Sequence, residues 1–139
     1  MIQIIAGQKG KGKTKRLIDK ANDDIKRAKG NIVYLDKSDK HMYELSNKIR
    51  LINVLNYGVD STDGFLGFIS GIISQDHDLD TMFLDSFLKL ANLEGKDISD
   101  TIDKLDKIGS KFNVTFVLSV SLDGETLPEN VKPKILISL

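Results

Sequence analysis

Between Gly7 and Thr14 the chain reads GQKGKGKT, a glycine, four residues, then Gly-Lys-Thr. No other stretch narrows the possible folds as far. Gly7, Gly10 and Gly12 suit places where the backbone must adopt conformations closed to other residues, or let another group approach it closely. The run MIQIIA before the loop is apolar and rich in β-branched residues, so it reads as a buried strand. After it, Ile18, Ala21, Ile25 and Ala28 recur at helical spacing, and Gly30 offers a stop. The chain must therefore pass from strand through a glycine loop directly into a helix.

Strands and helices alternate in the remainder. NIVYLD, Asn31 to Asp36, reads as a second buried strand, HMYELSNKI as a short helix, and RLINVL as a minor strand. From Asp63 to Gln75, Phe65, Phe68, Ile69, Ile72 and Ile73 mark an amphipathic helix. Gly64, Gly67 and Gly71 weaken that helix by about 1 kcal/mol each relative to alanine, or else admit a close neighbour. DTMFLD reads as a strand ending on Asp85, followed by a helix holding Phe87, Leu90 and Ala91. Ile98, Ile102, Leu105 and Ile108 form another helical stripe, with Gly109 expected to end it. NVTFVLSVS is the clearest buried strand, LDGETLPENVKPK a polar connection, and ILISL a last strand. Near-continuous apolar strands alternating with helices predict an α/β three-layer sandwich around a mostly parallel sheet of five or six strands.

Composition limits the alternatives. A chain of 139 residues with 40% hydrophobic content suits one domain with one core, expected to span residues 1–139. Acidic and basic residues number 20 each, so net charge gives no indication of nucleic acid or of an anionic membrane as partner. The absence of cysteine excludes a disulfide framework, a thiolate metal site and a cysteine nucleophile. The apolar start is too short for a signal-peptide core and no long uncharged apolar stretch follows, so the expectation is a cytoplasmic protein without membrane insertion.

In its strand-loop-helix context the spacing GxxxxGK[ST] is the Walker A pattern. Backbone N–H groups there wrap an anion, and the helix start adds partial positive charge. Residues Gly7, Gln8, Lys9, Gly10, Lys11, Gly12, Lys13, Thr14 and Lys15 are thus expected to contact a nucleotide. Lys13 would reach the β- and γ-phosphates, and the Thr14 hydroxyl would ligate Mg²⁺. Lys9 and Lys11 would add charge near the phosphates or point to solvent. A plain glycine-rich turn is the alternative, but lysines in a first helical turn oppose the helix dipole. Asp85, at the C-terminal end of a buried strand, is placed to hold the same Mg²⁺ as a Walker B carboxylate, or to cap the helix that follows.

The order of glycine-loop strand and helix, IVYLD, a helix, MFLDS, a helix and NVTFVLSVS resembles the core of RecA-like ATPases in the P-loop NTPase superfamily. The pair Asp85 and Ser86 is similar to that group's Walker B end, and Ser119 and Ser121 fall where a γ-phosphate sensor would lie. The whole chain also resembles small uncharacterised ATP-binding proteins of clostridia-like bacteria sometimes labelled twitching-motility ATPases. Pilus-retraction motors, however, are much longer and carry an additional N-terminal domain and acidic and histidine boxes that are not found in these 139 residues. The resemblance implies a domain that binds ATP, or GTP, with Mg²⁺.

Departures from that pattern bear on catalysis. RecA-like ATPases use a glutamate to orient the attacking water, whereas Ser86 follows Asp85 here; Asp36 or Asp39 could substitute. Arg16, Arg27 and Arg50 are the only arginines, and Arg50 alone could act across an oligomer interface. Gln8 occupies the position where partition-type ATPases carry a signature lysine. The cluster Asp76, His77, Asp78 and Asp80 reads as a solvated turn or a cation site, and His41 as a surface or capping residue. The leading expectation is a slow ATPase using Lys13, Asp36 or Asp39, and Ser119. A non-catalytic ATP-dependent module read by a protein partner or a homo-oligomer is the alternative. A small-molecule kinase would need an arginine-bearing lid and an acceptor pocket, and few arginines and no long lid insertion count against it.

Overall fold

The computed structural model describes residues 1–139. Its strands are β1 (Ile2–Ala6), β2 (Asn31–Asp36), β3 (Ile49–Asn53), β4 (Leu79–Leu84), β5 (Thr115–Val120) and β6 (Ile135–Ser138). The helices are α1 (Lys13–Asp24), α2 (Thr62–Gln75), α3 (Phe87–Leu90) and α4 (Ser99–Phe112). All neighbouring strands pair in parallel, in the order β3-β2-β4-β5-β1-β6. The protein is therefore α/β with a six-stranded parallel sheet and four helices. Strand β5 lies between β1, which feeds the glycine loop, and β4, which delivers Asp85.

Successive side chains of a strand point to opposite faces, and here they sort into two cores. Ile4, Ala6, Val33, Leu35, Met82, Leu84, Phe116 and Leu118 pack with α2, α3 and α4. Ile5, Ile32, Tyr34, Phe83 and Val117 pack with Leu17, Ile18 and Ala21 of α1. Helices thus cover both faces, an arrangement compatible with three layers. No helix is long and apolar enough to cross a membrane.

Several element boundaries depart from the pattern; the strand expected to end on Asp85, for one, ends at Leu84. Helix α1 stops at Asp24, so Ile25 and Ala28 reach the core from beyond its end. Gly30 serves close approach instead: a Cβ there would lie 2.0 Å from the Asp78 carbonyl oxygen. Residues 41–48 form turns rather than a helix. Met42 and Tyr43 are exposed, and the Asn22 side chain of α1 donates to the Glu44 carbonyl at 2.8 Å and accepts from the Ser46 N–H at 2.7 Å. Gly109 lies inside α4 against the Val114 carbonyl, and Asn113, left-handed at φ 56°, ends the helix. Gly67 and Gly71 admit no close neighbour, for a Cβ on either would meet nothing within 4 Å.

Candidate phosphate and metal site

Gly10 and Gly12 have φ of +88° and +84°, in the left-handed region where other residues are strained. Gly7 is needed for a different reason. Its Cβ would come within 3.0 Å of the Leu139 side chain, where the residue after β6 bonds back to the Ala6 carbonyl. The loop opens α1 with Gly12 at the cap, no side chain capping it and no acidic residue in the first turn. Its N-terminal amides are left to whatever enters from outside. The Gln8 side chain donates to Asp123 at 3.1 Å, tying the loop to the connection after β5.

Lys13 is buried, and its ammonium donates to the Gln8 carbonyl at 3.0 Å. Desolvation holds its pKa below the usual lysine range, against the opposing pull of Asp85. Asp85 is the point where four elements meet. Its Oδ1 accepts from Thr14 at 3.2 Å and from Ser119 at 2.8 Å, while Oδ2 accepts from the Tyr34 hydroxyl at 2.8 Å. Thr14 comes from α1, Tyr34 from β2 and Ser119 from β5, so one carboxylate reads the position of three elements. Burial, then Asp85, pushes the Tyr34 hydroxyl far above its ordinary pKa, which keeps it a donor.

Ser86, directly after Asp85, is left-handed at φ 54° and donates its backbone N–H to Ser119 Oγ at 2.8 Å. A non-glycine residue in this conformation costs about 1–2 kcal/mol. The twist turns the chain from β4 into α3 and leaves Asp85 at the rim of the sheet.

These groups share a cavity of about 240 Å³ whose lining includes Gly10, Gly12, Lys13, Thr14, Asp85 and Ser119. Lys9 and Ser121 line it too. Lys37 and Ser86 complete it, and neither was singled out as a contact by the motif. Lys37 directly follows a strand that ends at the same sheet edge as Asp85, and that adjacency is its only trace in the sequence. Tyr34 could have been noticed as the one polar tip within the apolar run Ile32–Leu35 of β2.

Other candidates fall elsewhere. Lys11 is exposed, and Lys15 is exposed and paired with Asp19 at 3.1 Å. Asp39 is exposed, accepts from the Asn53 side chain at 3.4 Å and does not line the cavity. Asp36 is 2% exposed and also outside the lining; its Oδ1 accepts from the Lys37 N–H at 2.7 Å, while its buried Oδ2 has no partner. Burial, then Asp85, raises its pKa. Asp76 accepts from Asn31 and the Asp78 N–H, as a turn residue does. His41 pairs with Glu44.

The donor set fits a hard divalent cation. The Thr14 hydroxyl donates its proton to Asp85 and so turns its lone pairs outward. Magnesium prefers one or two such protein oxygens, with phosphate oxygens and water completing the octahedron. No protein-family model matches the chain, and no curated protein matches it.

Proposed function

We propose that the chain is a P-loop nucleotide-binding domain of RecA-like type that takes Mg²⁺-ATP, or GTP, and hydrolyses it slowly. The observation that carries this reading is the 3.2 Å hydrogen bond from Thr14 to Asp85, made inside the cavity that Gly10, Gly12 and Lys13 also line. It joins two residues, 71 apart in the chain, that this reading assigns to one magnesium-phosphate site.

The α1 amides and the Gly10–Thr14 backbone receive the phosphates, and Lys13 exchanges the Gln8 carbonyl for β- and γ-phosphate oxygens. Thr14 and Asp85 hold Mg²⁺, which when bound neutralises charge on the phosphates. Ser119 bonds both Asp85 and the Ser86 N–H, so it can relay the state of the γ-phosphate to the start of α3. Hydrolysis is slow because the only carboxylate lining the cavity is Asp85, already engaged by three hydroxyls. Asp36 would have to move to reach the attacking water.

That engagement equally favours a second reading, a nucleotide-dependent module that binds without turnover and is read by a partner or by a second copy of the chain. One experiment separates them: ADP release and nucleotide binding in the same samples, wild type against Lys13→Ala. Turnover and binding both lost in Lys13→Ala support the ATPase. Binding without turnover in the wild type supports the module, and no binding by the wild type sinks both.

A further inference from the structure

The cavity over the glycine loop continues into another. A second space of about 250 Å³ lies beside it, and Lys9, Lys37, Ser86 and Ser121 line both. Its remaining wall includes Lys89, Glu94 and Gly95. None of the three lysines has a carboxylate within 4.0 Å. Three lysines against one glutamate leave this annex a net charge of +2 in a chain whose formal charge is zero. A recess of that kind concentrates anions.

The chemistry of the neighbouring cavity says which anion. Water or an alcohol attacking a γ-phosphate must lose a proton to a base. The loop cavity supplies none, because Asp85 is held by three hydroxyls and Asp36 is outside the lining; the annex itself has one carboxylate, Glu94, which shares its wall with three lysines. An acceptor oxygen that is already an anion needs no base, but it needs cations to offset its repulsion from the triphosphate. Lys9 and Lys37 line both cavities and so could serve both anions.

We propose that the annex holds a phosphoryl acceptor, a small molecule whose nucleophilic oxygen is a carboxylate or a phosphate. This rests on the nucleotide reading above. A lone pair on the acceptor oxygen forms the new bond to the γ-phosphorus while the bond from that phosphorus to the bridging oxygen breaks. The electron pair of the broken bond leaves with ADP, and no proton is transferred. Hydrolysis is then the slow side reaction of a site shaped for a different nucleophile.

The test uses the full chain with Mg²⁺ and a β,γ-imido ATP analogue, so that the γ-position is filled. Inorganic phosphate and, separately, acetate are titrated in while amide NMR follows Gly10–Thr14, Ser86, Gly95 and Ser121. Saturable shifts at Ser86, Gly95 and Ser121 with one probe are expected. In Lys89→Glu they weaken about tenfold, equivalent to 1.4 kcal/mol, while the analogue still shifts Gly10–Thr14. Transfer is then read with ATP itself: pyrophosphate formed from inorganic phosphate marks a phosphate acceptor, and acetohydroxamate formed from acetate with hydroxylamine marks a carboxylate. No annex shift with either probe, shifts unchanged in Lys89→Glu, or binding without either product overturns the assignment. If the analogue leaves Gly10–Thr14 unmoved in the wild type, the nucleotide reading fails and the acceptor assignment falls with it.

Discussion

The Tyr34 hydroxyl on β2 and the carboxylate of Asp85, the residue that follows the neighbouring strand β4, share a buried hydrogen bond of 2.8 Å. Tyr34 is fully buried, with its ring stacked on Phe83 at a centroid distance of 6.0 Å. The bond therefore links core packing on the α1 face to the one carboxylate of the candidate site. Tyr34→Phe keeps the ring and removes the donor, leaving Asp85 Oδ2 buried with one partner fewer. A hydrogen bond to a charged group contributes about 1.5–3 kcal/mol. The variant should lose stability in that range, measured by urea unfolding at neutral pH.

Asp36 should make the protein less stable as pH rises. Burial raises its folded pKa above the unfolded value of about 3.9. Between the two values the folded chain holds a proton that the unfolded chain has lost, so stability falls with increasing pH across that window. The stabilisation is complete below the unfolded pKa and is lost as pH passes the folded one. Asp36→Asn removes this titration. Its unfolding free energy relative to wild type should climb from the acidic range upward and then level off, whereas a difference independent of pH would contradict the assignment.

The three loop glycines should respond differently to alanine. Gly10 and Gly12 have open space around an added Cβ but positive φ, so each substitution costs about 1–2 kcal/mol of backbone strain, concentrated where phosphate would bind. Gly7 has no positive φ and instead faces Leu139. Gly7→Ala should loosen the β1–β6 edge, lowering the melting temperature and increasing amide exchange at Leu139. Gly10→Ala and Gly12→Ala should weaken nucleotide affinity more than they change melting temperature.

The strand-loop-helix start and every strand could be read from the chain because apolar periodicity is local. What could not be read depended on partners far away in sequence. The turn at 41–48 is set by Asn22, twenty-odd residues earlier, whose amide captures the backbone that a helix would have used. Gly109 looked like a helix stop but answers to the Val114 carbonyl, and the left-handed Asn113 does the stopping. Asp85 was legible from its strand and Thr14 from its motif. Asp36 and Asp39 are near neighbours in sequence, yet one is sealed beneath the sheet edge and the other points to Asn53 in solvent. Spacing alone cannot separate such a pair.

Magnesium dependence gives the sharpest check on the pairing of Thr14 with Asp85. On the proposed reading Lys13 would meet phosphate directly, so Lys13→Ala should weaken nucleotide binding with or without Mg²⁺. Thr14→Val keeps the shape but removes the hydroxyl that bonds Asp85 at 3.2 Å and turns its lone pairs outward. Its Mg²⁺-free affinity should stay near wild type, while the gain in affinity on adding Mg²⁺ should shrink by about tenfold, or 1.4 kcal/mol. Calorimetric titration of ADP with Mg²⁺ and with a chelator measures both quantities. A full Mg²⁺ gain in Thr14→Val would place the cation elsewhere and reduce the Thr14–Asp85 bond to a structural clasp between α1 and β4.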